Sequence, residues 1–162
     1  MATIVLRGST TARLDDIERA IDDGVNTIKT LCRDGRMLPG AGATEINLAK
    51  KIQDYAKTQP GLDQYAIERF GQALEIIPRT ISENAGHKAE TVIADLYAKT
   101  ADGFIYGIDI TTGLPKSVLE MDVLDCWETK SWALKLCVDA CLTILKVDQI
   151  IMSKPSGGPN MS

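Results

Sequence analysis

The stretch Pro39-Gly40-Ala41-Gly42-Ala43-Thr44-Glu45 is composed of residues that let a backbone approach an anion closely. Two glycines permit positive φ, and no bulky side chain stands between them. A helical pattern follows at once, so its first free N–H groups and partial positive charge face back on the loop. Such a junction is suited to cradle a phosphate. It is equally what a tight helix–helix connection requires. The G-x-G-x-x-G spacing fails at its third glycine, where Glu45 stands, and no G-x-x-x-x-G-K-[ST] segment occurs.

The remaining reactive groups are scattered. Arg19 and Asp23 stand at i,i+4, the spacing of an ion pair on a solvated helix face. By position alone, Asp125 is a candidate cap for the helix after it, and Asp109 a candidate turn residue before Thr111-Thr112-Gly113. Of the four cysteines, Cys32, Cys126, Cys137 and Cys141, the last two are spaced for a metal pair, yet no further Cys or His has ligand spacing. Free, buried thiols are the expectation. His87 is the only histidine, which excludes most histidine-dependent triads and metal sites.

Composition sets the frame. A chain of 162 residues with 44% hydrophobic and 25% charged residues makes one ordinary globular domain. Its net charge of −4, with no cluster of Lys and Arg, argues against a nucleic-acid partner. No apolar run approaches ~20 residues, and no leader pattern opens the chain, so neither a membrane partner nor export is expected. The expected location is cytoplasmic.

The elements that must position these residues are mostly helices. Leu14, Ile17, Ile21, Val25, Ile28 and Leu31 recur at helical spacing after the N-cap candidates Ser9, Thr10 and Thr11, and Gly35 ends the run. A second helix carries Ile46, Ala49, Ile52 and Ala56 and breaks at Pro60-Gly61. A third begins near Leu62 and presents Ala66, Phe70, Ala73, Leu74 and Ile77. Pro78 must kink it or open a new helix at its first position, which Gly86 then ends. Residues 90–99 carry another helix through Val92, Ile93, Leu96 and Tyr97. Phe104-Ile105-Tyr106-Gly107-Ile108-Asp109 reads as a strand, as do Thr3-Ile4-Val5-Leu6 and Asp148-Gln149-Ile150-Ile151-Met152. Residues 118–121 make one helical turn, followed by a loop around Leu124-Asp125. The last helix has a stripe from Trp132 to Leu145 wide enough to be buried on most of its circumference, with Trp132 in the core.

Taken in order, these stretches resemble the equatorial domain of group II chaperonin subunits, which are ATP-driven protein-folding rings. The resemblance is carried by Ile17-Glu18-Arg19-Ala20-Ile21-Asp22-Asp23, Pro39-Gly40-Ala41-Gly42-Ala43-Thr44-Glu45, Gln64-Tyr65-Ala66-Ile67-Glu68 and Ile76-Ile77-Pro78-Arg79-Thr80-Ile81-Ser82-Glu83-Asn84-Ala85-Gly86. Leu124-Asp125 and Val147-Asp148-Gln149-Ile150-Ile151-Met152 complete it. It implies a mainly α fold: a multi-helical, equatorial-domain-like bundle with a few short β-strands. Residues 1–162 would be the C-terminal half of an ATP-binding equatorial domain. Residues 1–8 would be a lead-in strand from the intermediate-domain junction, and residues 153–162 a flexible tail. The family's Gly-Asp-Gly-Thr-Thr phosphate loop and metal-binding aspartate have no counterpart in this sequence.

The resemblance also implies roles. Asp23 matches the aspartate that orients the water attacking the γ-phosphate, although Asp22 stands where the family usually has histidine. Gly40, Ala41 and Gly42 match a triple-glycine loop lying against nucleotide, with Ala41 in place of its middle glycine. Asp125 matches the acidic residue near the ribose, and Gly107 and Asp109 fall where the chain approaches the base. The implied ligand is ATP or ADP with Mg²⁺, whose metal ligands are expected mainly in the N-terminal half of a subunit. The implied partners are other chaperonin subunits in a double ring and, indirectly, unfolded proteins. ATP hydrolysis is then expected of a complete subunit and not of this chain alone. The competing expectation is a non-enzymatic interaction module that keeps part of the fold.

Overall fold

The structure, a computed structural model, describes residues 2–101 and 105–153. Seven helices and four short strands follow one another in these residues: α1 (Thr11–Arg33), β1 (Met37–Pro39), α2 (Ala43–Ala56), α3 (Asp63–Ala73), α4 (Ile76–Asn84), α5 (Ala89–Ala101), β2 (Tyr106–Ile108), β3 (Pro115–Ser117), α6 (Val118–Met121), β4 (Leu124–Cys126) and α7 (Trp127–Leu145). The fold is mainly α with few short strands, as the sequence leads one to expect.

The core forms where α2 and α5 meet β2. Ile46, Val92, Ile93, Leu96 and Ile108 are buried together, with Ile81 of α4, Tyr97 and Tyr106 packed against them. These apolar residues sit at helical spacing on α2 and α5, so each helix turns one face inward. A small polar network lies beside them. The Tyr97 hydroxyl donates to Glu75 Oε1 at 2.6 Å, and Gln53 Nε2 donates to the same oxygen at 3.1 Å. Burial, and then the hydrogen bond to Glu75, push the Tyr97 phenol well above its ordinary pKa. Helix α3 lies against α2 through Gly71. A Cβ there would sit 3.1 Å from the Ala49 carbonyl oxygen and 3.2 Å from Ile52 Cγ2.

Helix ends follow known chemistry. Thr10 caps α1 by accepting a hydrogen bond from the Arg13 N–H at 3.3 Å. After α4, Gly86 takes φ +82°, its N–H donates to the Glu83 carbonyl, and the His87 N–H donates to that of Ser82. That pair of bonds is the Schellman arrangement expected of a glycine just past a helix end. Pro78 is the third residue of α4, neither a kink nor a first position. It is tolerated because the N–H groups of a first turn have no intrahelical acceptor.

The strands form two antiparallel ribbons. β1 pairs with β4 in the register Met37↔Cys126, Leu38↔Asp125 and Pro39↔Leu124. β2 pairs with β3 through Tyr106↔Ser117, Gly107↔Lys116 and Ile108↔Pro115. The expected strand around residues 104–109 is therefore present over 106–108, Phe104 lying outside the described residues. The expected lead-in strand at 3–6 and the strand at 148–152 are absent. Both stretches are β-prone and exposed, and neither has a partner strand to satisfy its backbone. The tail beyond residue 153 lies outside the described residues.

Burial corrects three further expectations. Helix α7 has no buried residue, and Trp132 is 55% exposed instead of in the core. Phe70 and Ile77 are exposed, since α3 and α4 face the core through Gly71 and through Pro78 and Ser82. All four cysteines are free, but only Cys126 is buried. The apolar positions of α1 behave like those of α7: Val25 and Ile28 are exposed. Helical periodicity reports which face is apolar and not what covers it. Exposed apolar faces of this extent mark an interface or an aggregation liability. The 162-residue chain alone is therefore expected to elute above monomer mass in size-exclusion chromatography with light scattering. A sharp monomer peak across concentrations would contradict this.

Candidate functional site

The loop between β1 and α2 is fixed by its backbone. Ala41 and Gly42 both adopt left-handed conformations, φ +53° and +77°. For alanine this costs about 1–2 kcal/mol, so the position matching the family's middle glycine is one where glycine would be unstrained. The strain is held by hydrogen bonds on either side. The Gly40 N–H donates to the Val123 carbonyl at 2.9 Å, and the Ala41 carbonyl accepts from the Ile108 N–H at 2.9 Å. Thr44 Oγ1 donates back to the Pro39 carbonyl at 2.6 Å, closing the turn at the start of α2.

The glycines are used by the chain itself. A Cβ on Gly40 would lie 2.9 Å from Val123 Cγ1, and one on Gly42 2.8 Å from Pro78 Cβ. One on Gly107 would meet Ala41 Cβ at 2.7 Å and Val118 Cγ2 at 2.9 Å. Real Cβ atoms do not come so close, so these three positions need glycine for packing alone. The free surface of the loop is at Ala41 and Thr44, which are half-buried, beside the buried Gly40, Gly42 and Ala43.

The structure gathers five of the expected residues around this turn. Gly40, Ala41 and Gly42 form it, Gly107 abuts Ala41, and Asp125 lies on β4 opposite Leu38. Asp109 follows β2, but its carboxylate is occupied: it accepts from the Thr111 N–H at 3.0 Å and from Thr112 Oγ1 at 3.0 Å. Those bonds, the Thr111 backbone first, hold its pKa below the ordinary carboxylate value. Asp109 is thus the turn residue that its position suggests. Asp23 is not gathered in. It is exposed on α1, and Arg19 pairs with Asp16 at 2.6 Å instead of with Asp23. Among the described residues the Asp23 carboxylate has no hydrogen bond or ion pair. Its helix touches β4.

Two residues that sequence reasoning did not single out complete the site. Glu45, the third residue of α2, is buried and forms an ion pair with Lys130 of α7. Lys130 Nζ also lies 3.1 Å from Asp125 Oδ2. Helix propensity offers no signal for a pair 85 residues apart. Burial disfavours the ammonium charge of Lys130, but the hydrogen bond and charge of Glu45, then those of Asp125, outweigh it and hold the pKa above the lysine norm. Elsewhere, a cleft of about 210 Å³ lies between the end of α1 and α7, lined by Arg33, Asp34, Trp127, Glu128, Ser131, Trp132 and Lys135. It is smaller than the ~300 Å³ from which ligand pockets usually start. Among the described residues no group of three or more His, Cys, Asp or Glu is placed to hold a metal ion.

Two outcomes follow for the loop. Gly107→Ala is expected to cost about 1–3 kcal/mol through overpacking, and Ala41→Gly on that background to recover part of it, the Val118 contact remaining. Urea denaturation of both single variants and the double variant checks the coupling; additive changes would show that the two Cβ atoms do not meet. Because the Lys130 pKa is raised by folding, its contribution is fully present below the ordinary lysine value of ~10.4. It is lost as pH rises through the folded value. Thermal midpoints above about pH 10.4 should therefore fall more steeply for the parent than for Lys130→Met.

The family profile described as the TCP-1/cpn60 chaperonin family matches residues 1–155. T-complex protein 1 subunit theta from Dictyostelium discoideum is 56% identical over 160 residues, covering 98% of this chain and 30% of that protein. The theta subunit from Homo sapiens is 56% identical over 162 residues, with the same coverage of each chain. That from Arabidopsis thaliana is 51% identical over 160 residues, covering 98% of this chain and 29% of that one. Among solved structures, the open-state monomer of a group II chaperonin from Methanococcoides burtonii superposes with a TM-score of 0.73 at 28% identity, covering 88% of this chain and 36% of that one. The chain spans about 30% of the length of the curated relatives it matches. With the profile running over all but its last residues and relatives at more than half identity, the chain belongs to the TCP-1/cpn60 chaperonin family.

Proposed function

We propose that this chain forms part of the nucleotide-binding equatorial region of a cytoplasmic, ATP-driven chaperonin subunit. It would act with other chaperonin subunits in a double ring whose ATP cycle serves unfolded protein substrates. One observation carries the reading. The backbone bonds Gly40–Val123 and Ala41–Ile108 bring the loop, β2 and the segment leading into β4 around the start of one helix. Those are the three segments that the family resemblance places against the nucleotide, by the base and near the ribose.

The residues fit an ATP molecule in a limited way. The α2 N-terminus, with Ala41 and Thr44 half-buried before it, would face the phosphates, where helix dipole and free N–H groups favour negative charge. Asp125, half-buried, would accept from a ribose hydroxyl. Gly107 and the turn held by Asp109 would approach the base through backbone. Mg²⁺ would shield the phosphate charge, with its ligands drawn mainly from outside these residues. Asp23, unpaired on α1, is the carboxylate available to orient an attacking water. Phosphoryl transfer needs that positioning more than covalent help.

The test is Asp23→Ala in a complete subunit carrying this segment. Orienting a nucleophile stabilises the transition state more than the bound ground state. Hydrolysis should fall about a hundredfold or more, while ATP affinity measured by isothermal calorimetry stays nearly unchanged. A variant that hydrolyses at the parental rate would return Asp23 to an ordinary surface position on α1.

A further inference from the structure

We infer that Lys130 is a positioning residue for the nucleoside. It pins Asp125 against the start of α2 through Glu45, so that the ribose contact and the phosphate loop keep a fixed separation. The inference rests on the nucleotide reading above and extends it to a helix that reading does not use.

The three side chains form a graded line from interior to surface. The Glu45 side chain is 8% exposed, that of Lys130 29% and that of Asp125 38%. Glu45 belongs to the first turn of α2, one residue after Thr44, whose hydroxyl closes the loop. Its Oε1 holds the ammonium, and its Oε2 is buried without any hydrogen-bond partner among the described residues. A buried carboxylate in that state depends on its single cation, because removing the partner leaves an uncompensated charge. Lys130 is therefore anchored at its inner end.

At its outer end Lys130 lies 3.1 Å from Asp125 Oδ2. The other oxygen, Oδ1, accepts no hydrogen bond among the described residues. Asp125 stands in the middle of a three-residue strand whose ladder partner among the described residues is β1. With its side chain 38% exposed, the Asp125 carboxylate keeps one orientation only where a partner holds it. The ammonium does so, and it leaves one acceptor free for a donor such as a ribose hydroxyl. Lysine suits this role because its three N–H donors radiate from a point and can serve two carboxylates at once. The cluster also keeps two carboxylates beside an anion-binding loop from adding a charge of −2 to it.

The expected signature is discrimination at the ribose. In the complete subunit carrying this segment, ATP and 2′-deoxy-ATP are compared by competition binding and by hydrolysis. The parent should favour ATP by about tenfold, the effect of one hydrogen bond to a charged group. Lys130→Met should reduce that preference to near unity, and Asp125→Asn is expected to do the same. Lys130→Arg, which keeps the charge and two or more donors, should restore most of the preference. If Lys130→Met does not fold, Glu45→Gln decides: releasing the inner anchor should lower the preference about threefold. A merely structural role would lower thermal stability and leave the ratio of the two affinities as in the parent, and that result overturns the inference. A parent that binds ATP with no preference for the 2′-hydroxyl overturns it as well. A parent that binds no ATP at all instead removes the nucleotide reading on which it stands.

Discussion

A left-handed turn of two residues holds this structure's site together. Ala41 and Gly42 reverse the usual sign of φ, and through that reversal the carbonyl of one residue faces β2 while the chain enters α2. A right-handed turn in the same place would aim that carbonyl elsewhere and leave the Ile108 N–H without its acceptor. A buried backbone donor left unpaired costs about 1–3 kcal/mol, comparable to the strain that Ala41 carries. The strain and the bond that holds it are thus matched, which explains how alanine persists where glycine would sit more easily. The three glycines around the turn do a different job. They admit Val123, Pro78 and Ala41 itself at distances no side chain would allow.

Stability is distributed unevenly around this turn. The interior is shared by α2, α5 and β2, whose buried residues form one cluster with Ile81 of α4 packed against it. Helices α1 and α7 contribute no buried residue. Helix α7 nevertheless brings Lys130 to the candidate site, while Asp23 of α1 stands apart from it. Lys130 is tied down by two carboxylates, whereas Asp23 projects from a helix that touches the rest chiefly at β4. The two candidates for work therefore differ in how firmly they are held. One is preset by electrostatics, and the other depends on what lies against α1.

What the sequence disclosed follows the same division. Helices with a buried face, α2 and α5, were legible because Ile46, Ala49, Val92, Ile93 and Leu96 repeat at the helical period. Helix α7 was equally legible as a helix but not in its surroundings, since Trp132 and Leu136 look the same to periodicity whether covered or bare. Strands were read poorly. Residues 3–6 and 148–152 have β-prone composition and no partner, while β1, β3 and β4 are three residues each, too short for alternation to show. The loop and Asp125 were legible through the family resemblance. The Glu45–Lys130 pair was not, because nothing local to either residue refers to the other.

The turn also imposes an order in time. Its two bonds reach to Ile108 and Val123, far downstream of Gly40 and Ala41, so the loop cannot acquire its shape from its own neighbourhood. Contacts of such sequence separation form only after the intervening chain has closed on itself, and that closure is slow compared with helix formation. On a ribosome, α2 and α3 can coil as they emerge, but the segment between β1 and α2 stays unspecified until β4 has been synthesised. The loop at the centre of the candidate site is therefore defined late in the making of this chain.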